Sequence, residues 1–425
     1  MNPERDFHPS DEPAEAELSR RGFLRGAGLA GASAALGMPI PFADQFPAGL
    51  APVALAQDAG VPAIPGKEGV RVLNDRPINA ETIVTQLDDD ITPNKRHFVR
   101  NNGIIPERAH TGSLDGWSLM IDGEVRRTLT LSMDDLESNF KRHEAALVIE
   151  CGGNGRAGYN PPAKGNQWTL GAVGCARYAG VRLRDVLKEA GVKSSAVYIG
   201  YEAEDQHLSR DPTKQAISRG VPIEKAMDEH TMLAFEMNGG PLPTLHGFPL
   251  RLICPGWPGS TGGKWLKRIW VRDQVHDGAK MTGTSYRVPR YPVAPGTKVP
   301  EEDMEIIEEM PVKSIITRPE SGIVAKLAEK LELRGHAWSG SGDVKAMHIS
   351  IDFGRTWIPA KLRKPVNRYA WQRWTATAEF PRQGYYEVWA RATDKQDRMQ
   401  PMIVPGWNPK GYLNNAMQRI AVKVA

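Results

Sequence analysis

Residues 146–162 read ALVIECGGNGRAGYNPP, and the change of character inside this stretch organises the chain. The run Ala145–Ile149 has the length and branched apolar content of a buried strand, and the glycines after Cys151 end it. Cys151 therefore stands at a strand end, opening a loop whose glycines admit close backbone approach. Three roles are open to it. It is a small buried hydrophobe, a nucleophile whose histidine partner the sequence does not place, or a soft-metal thiolate kept ionised by Arg156. Cys175, in AVGCARY, and Cys254, in RLICPG, lack that setting and read as core. With three cysteines and no C-x-x-C, a disulfide scaffold and a covalent c-type haem on this chain are both excluded. Zinc needs about four Cys/His ligands at short spacing, and no such cluster occurs.

Working outward, short apolar runs (AVYIGYEA, FPLRLICPG, RIWV) alternate with helical patterns between Trp117 and Val275, which predicts a mixed α+β domain. In VRLRDVLKEAG, Leu183, Val186, Leu187 and Ala190 share one helical face and Gly191 is a natural stop. Residues 57–96 are rich in Pro, Gly and Asp and read as an extended arm or linker, so the first domain is placed at 97–295 and a connection at 296–310. From 311 to 425 the pattern changes to evenly spaced strand-like runs (LELRGHAW, KAMHISID, WTATAEF, YYEVWARAT, MQRIAVKV), which predicts a β-sandwich of roughly 110 residues. SIDFGRTW, residues 350–357, fits a hairpin motif of β-propellers. It occurs once, where a propeller repeats it in every blade, so a single hairpin turning on Asp352 and Gly354 suffices.

The N-terminus carries Ser19-Arg20-Arg21-Gly22-Phe23-Leu24-Arg25, then a Gly/Ala-rich apolar run, then Ala54-Leu55-Ala56. Together these read as a twin-arginine export leader over residues 1–56. Export in the folded state suits a protein loaded with its cofactor before transport, and a periplasmic location is expected. Removing residues 1–56 takes away four basic and seven acidic residues and moves the formal net charge from +4 to +7. That balance suits anionic small molecules or an acidic protein partner, and no Lys/Arg run of the kind that tracks nucleic acid is present. No stretch of about 18 uncharged apolar residues follows the leader, so no membrane anchor is expected.

Basic residues recur in loops bearing Gly, Pro or Asn: Arg100 in FVRNNG, His246 and Arg251 in HGFPLR, Lys264 in GGKWLKR. This setting points to a bound oxyanion or phosphate. Taken in order, FVRNNG, IECGGNGR, NQWTLGAVGCARYAGVRLRDVL, AFEMNGGPLPTLHGFPLRLICPG and GGKWLKRIWV resemble the molybdopterin domain of the sulfite oxidase family. AWSGSGDVKAMHISIDFGRTW and WNPKGYLNNAMQRI resemble that family's immunoglobulin-like dimerisation domain. With the leader and ECGGNGRAG, the resemblance is to the periplasmic sulfite or sulfane dehydrogenases of that family.

The resemblance implies one molybdenum–molybdopterin per chain, with Cys151 as the metal's thiolate ligand. It implies that Arg100, Arg156 and Trp168 line an oxyanion pocket. Asn101, Asn102, Asp205, His246, Arg251 and Lys264 would hold the pterin and its phosphate. The family's active-site tyrosine falls near Tyr286, with Tyr291 as a rival, and Lys410 takes the place of a pocket arginine. Three departures bear on the substrate: Asn102 stands where relatives carry histidine, Arg156 is the single arginine after the cysteine, and Lys410 cannot make a guanidinium's paired contacts. The implied reaction oxidises a reduced sulfur, as free sulfite or as sulfane sulfur on a carrier protein. With no haem attachment motif on this chain, the electrons are expected to pass to a c-type cytochrome. A homodimer through the C-terminal domain is also implied. An S-oxide or other oxo-compound reductase on the same fold, and a cofactor-free binding or assembly protein, remain the alternative readings.

Overall fold

The computed structural model describes residues 63–425, so the expected leader, residues 1–56, lies outside the described residues. The apolar run becomes the strand Arg142–Glu150, paired antiparallel over its whole length with Val173–Arg182. Its side chains alternate between two separate cores: Leu147 and Ile149 pack with Phe98 and Trp168, whereas Ala146 and Val148 pack against Ile315, Trp338 and Trp371 of the C-terminal domain. Both faces are covered, which is why the run is apolar without interruption. Met232–Met237 continues this sheet, flanked by Gly240–Pro241 and Arg251–Ile253.

A second five-stranded sheet runs in the order Leu129–Leu131, Leu119–Gly123, Leu266–Arg272, Tyr198–Ala203, Gly220–Pro222. Against it packs the helix Leu183–Ala190, whose Leu183, Val186, Leu187 and Ala190 are all buried and whose cap, Gly191, is left-handed at φ 71. The expected helical face and stop are therefore both present. Among the described residues the four α-helices are short, the longest being this eight-residue one, so strands dominate more than the alternating pattern predicted.

The C-terminal domain is two facing sheets around one core that includes Trp374, Val388 and Ile420. One orders Lys313–Arg318, Leu331–Trp338, Gln372–Ala378, Lys361–Leu362; the other orders Ile323–Ala325, Gln418–Val424, Gly384–Asp394, Val344–Ser350, Ile358–Pro359. SIDFGRTW is the single hairpin it was read to be. Asp352 accepts from the Thr356 backbone N–H at 2.9 Å and Gly354 sits at φ 81.

Two segments are corrected. Residues 63–96 are not a free arm: Val70–Asp75 and Ile78–Thr82 form an antiparallel hairpin, and the second strand pairs with Val99–Arg100. Polar side chains brace this segment where an apolar pattern was sought. Buried Glu81 accepts from Thr169 N at 2.7 Å, and Asn79 Oδ1 accepts from Asn101 N at 2.8 Å. The connection 296–310 is also partly ordered, since Met304–Ile306 pairs with Arg287–Pro289.

The same segment ties the domains together through Asp88, which accepts from Thr317 Oγ1 at 2.6 Å and Arg334 Nη2 at 2.7 Å. Burial raises the Asp88 carboxyl, but the bonds from Arg334 and Thr317 and the Arg334 and Arg373 charges outweigh it and bring it from 3.8 to about 2. A depressed carboxylate contributes stability that is complete above its unfolded value and lost as pH falls through the folded one. Asp88→Asn is therefore expected to lower stability at neutral pH and to flatten the acid-unfolding curve between about pH 4 and 2, read by circular dichroism. An unchanged acid limb would remove Asp88 from this role.

Candidate active site

The Gly-rich loop after Cys151 is held on both sides. Cys151 N donates to Ala172 O at 2.9 Å, Asn154 N donates back to Cys151 O at 2.8 Å, and Asn154 Oδ1 accepts from Ala172 N at 3.0 Å. The C-terminal domain supplies further ties: Leu413 N donates to Gly152 O at 3.0 Å and Asn414 Nδ2 to Gly155 O at 2.7 Å. Cys151, 7% exposed, thereby faces a cavity whose empty space, with the open solvent at its mouth included, is about 690 Å³.

Arg100, Asn102 and Tyr286 line the cavity together with Cys151. Arg100 Nη2 donates to Asn102 Oδ1 at 2.9 Å, and Tyr286 OH lies 3.4 Å from the same oxygen. Burial raises the Tyr286 hydroxyl, yet the Arg100 and Lys280 charges outweigh burial and leave it below the ordinary tyrosine value. Tyr291, by contrast, is 49% exposed and bonded to Asp303, so of the two tyrosines it is Tyr286 that lines the cavity.

The opposite flank is cationic. His97, His246, Arg251 and Lys264 line it, and Asp205 is its one carboxylate. Lys264 Nζ donates to Leu245 O at 2.9 Å and to Asn101 Oδ1, and Arg251 Nη1 donates to His246 O at 3.3 Å. Lys67 reaches in from behind, 2.7 Å from His246 Nε2. Burial, reinforced by Arg251, pushes Lys264 well below the usual lysine range; burial brings Lys67 to about 7; burial and Lys67 bring His97 to about 3. Asp205 is pushed up to about 6 by burial, against the pull of Lys264 and Lys280.

This flank concentrates basic side chains that burial holds toward their neutral forms, and it leaves donors without acceptors. Arg251 Nε, His97 Nε2 and Asn101 Nδ2 are buried with no partner. A bound anion of high charge supplies both what the charges and what the donors lack. A phosphate at this end and a soft metal at the Cys151 end fit the residues present, so the site fits molybdenum–molybdopterin. Among the described residues no group of three or more His, Cys, Asp or Glu side chains could hold a metal without it.

Three expected pocket residues sit elsewhere. Arg156 does not line this cavity. Its Nε donates to Lys410 O at 2.5 Å and its Nη1 to Asn166 O at 2.8 Å, while its guanidinium lies over the Tyr412 ring. A Cβ on Gly153 would run into that guanidinium, so the loop glycine serves the arginine's seat. Trp168 is fully buried in the core behind Cys151, with its indole N–H unpaired. Lys410 does not line the cavity either, but its charge is felt by Lys280, and its carbonyl anchors Arg156 of the same chain.

Comparison with known proteins agrees with this geometry. Residues 104–280 match the family model of the oxidoreductase molybdopterin binding domain, and residues 304–425 match that of the Mo-co oxidoreductase dimerisation domain. Sulfite oxidase of Gallus gallus is 34% identical over 388 residues, covering 88% of this chain and 82% of its own length. The chain belongs to the sulfite oxidase family. Mitochondrial sulfite oxidase of Homo sapiens is 35% identical over 371 residues, and there the chain spans 66% of the relative's length. Among solved structures, the sulfane dehydrogenase SoxCD from Paracoccus pantotrophus superposes with a TM-score of 0.68 at 28% identity, covering 91% of this chain and 97% of that one.

Four residues of this family member's site escaped the sequence reading. Lys67 was hidden in the segment taken for a linker, and His97 directly precedes FVRNNG. Arg219 is buried, donates to Ser260 Oγ at 2.6 Å and lies over the Tyr286 ring at 4.7 Å. Lys280, in GAKMTG, donates to Asn102 Oδ1 at 2.7 Å. Its glycine-flanked setting is the signal that singled out Lys264, and the same rule applied again finds it.

Proposed function

We propose that this chain is a molybdenum-dependent dehydrogenase of reduced sulfur compounds that works in the periplasm and passes electrons to a c-type cytochrome. The observation that carries the reading is one cavity with the Cys151 thiol at one end and a cluster of buried basic side chains with unpaired donors at the other, in a chain of the sulfite oxidase family. When bound, molybdenum–molybdopterin supplies oxygen-atom transfer and a two-electron store. Cys151 holds the metal and tunes it through a soft thiolate. Arg251, Lys264, His97 and His246 grip the phosphate end, and Arg100 with Tyr286 orients an anionic sulfur substrate by charge-assisted hydrogen bonds. The C-terminal sheets form an immunoglobulin-like module that pairs two chains, and the twin-arginine leader exports the loaded protein.

Sulfane sulfur on a carrier protein is the preferred substrate. Two facts support this: the likeness to a sulfane dehydrogenase, and a cavity wall where Arg100 is the arginine beside Cys151 while Arg156 is engaged elsewhere. Less fixed bidentate charge means weaker hold on a small free dianion, whereas a carrier is also held by its own protein surface. The expected result is low turnover of free sulfite by the isolated holoenzyme and higher turnover with a persulfide-bearing carrier and a c-type cytochrome. Tight, rapid oxidation of free sulfite returns the reading to a sulfite dehydrogenase. Purified protein without molybdenum after cytoplasmic maturation would favour the binding or assembly alternative.

A further inference from the structure

Asn102 Oδ1 is the meeting point of three donors: Lys280 Nζ at 2.7 Å, Arg100 Nη2 at 2.9 Å and Tyr286 OH at 3.4 Å. A neutral amide oxygen has two lone pairs, so two cations and a hydroxyl exceed what it can satisfy. Among the described residues neither Arg100 nor Lys280 forms an ion pair, which leaves two charges directed at one point without a carboxylate. The backbone holds this arrangement under strain. Lys280 and Tyr286 lie on one loop and both have left-handed φ, 70 and 53, a conformation that costs a non-glycine residue on the order of 1 kcal/mol. Such strain persists where the side chains it aims are used.

We propose that Lys280 is a third binding residue for the anionic oxygens of substrate and product, completing with Arg100 and Tyr286 a site that the Asn102 amide oxygen fills in their absence. An incoming oxyanion would take the place of the amide oxygen before Arg100 and Tyr286, which line the cavity, and before Lys280, which shares that oxygen with them. Lys280 thereby supplies fixed charge that Arg156, seated against Lys410 O and Tyr412, does not bring to the wall. Burial lowers the Lys280 ammonium from the usual lysine range, and the Tyr286 and Asp205 charges work against that by favouring its protonated form. This rests on the proposed oxidation of an anionic sulfur compound at this cavity, and the experiment separates the two.

The test uses oxidised holoenzyme, with sulfate as the probe in isothermal titration calorimetry and sulfite in steady-state assays. Lys280→Met is expected to weaken sulfate binding about tenfold or more and to raise the sulfite KM in parallel, with kcat, molybdenum content and melting temperature close to wild type. Lys280→Arg is expected to restore most of the affinity, and Asn102→Asp to abolish sulfate binding by placing a permanent carboxylate at the meeting point. If wild type binds sulfate and Lys280→Met binds it equally well, the role of Lys280 is overturned while the sulfur chemistry stands. If wild type binds neither sulfate nor sulfite, the anion site is overturned, while oxidation of carrier-bound sulfane sulfur is decided separately by turnover with the carrier.

Discussion

Cys151→Ser is expected to yield a folded, pterin-containing protein without measurable turnover. The loop that carries the residue is held by backbone bonds to Ala172 and Leu413 and by Asn154, none of which uses the sulfur. On the proposed reading the phosphate end is held by Arg251, Lys264 and the two histidines that line the opposite flank, so cofactor retention does not depend on the thiolate alone. A hydroxyl is a hard, weak donor that stays protonated at neutral pH, and replacing a metal's own ligand costs more than the roughly 10–100-fold typical of changes in its outer shell. Molybdenum and pterin content, melting temperature and turnover are measured together. Near-normal activity with full cofactor would sink the ligand assignment. Cys175→Ala and Cys254→Ala, both buried in cores away from the cavity, should alter stability and leave the sulfite KM unchanged.

The second large effect concerns the residue just before the cysteine. Glu150 and Lys313, 2% and 1% exposed, form an ion pair at 2.5 Å across the boundary between the two domains. Trp338 Nε1 and Asn154 Nδ2 also donate to the Glu150 carboxylate, at 2.8 and 2.9 Å. Removing one member leaves the other charge buried and unpaired, a loss of about 3–5 kcal/mol. Lys313→Met alone is therefore expected to destabilise the protein by about that amount, to loosen the Cys151 loop through Asn154 and to lower cofactor content. The double variant Glu150→Gln, Lys313→Met removes both charges together and should recover most of the stability. Denaturant midpoints of the three proteins decide this. A single variant as stable as wild type would show that the pair contributes little to domain docking.

How far the sequence carried the argument depends on whether a feature is local. The strand ending at Cys151, the helix closed by Gly191, the hairpin at Asp352 and the β-rich C-terminal half were legible because periodicity and turn residues act over a few positions. The resemblance brought Cys151, Arg100, Asp205, His246, Arg251 and Lys264 to one site, and all six line the cavity. The hairpin at 70–82 was missed because its stabilising partners are polar and distant: Glu81 finds Thr169, and Asn79 finds Arg100 and Asn101. The alternation in Val70-Arg71-Val72 and Ile78-Asn79-Ala80-Glu81 runs for only three or four residues, and hydrogen bonds between distant residues leave no periodic trace.

The sequence by itself determined which residue types meet the cofactor, since glycines beside cationic and cysteine side chains impose a close-approach loop wherever the chain goes. Only the tertiary structure decided where each cation points. Arg156 follows the cysteine by five positions, yet it turns away because Asn166 O, Lys410 O and the Tyr412 ring offer it acceptors and a face that lie 10 to 256 residues away in the chain. Lys280, nine residues past the end of GGKWLKRIWV and outside the motifs quoted above, enters the site because a strained loop aims it at Asn102. A side chain's direction is set by the partners that fold against it, and those partners come from the C-terminal domain and from a hairpin that the local sequence does not announce.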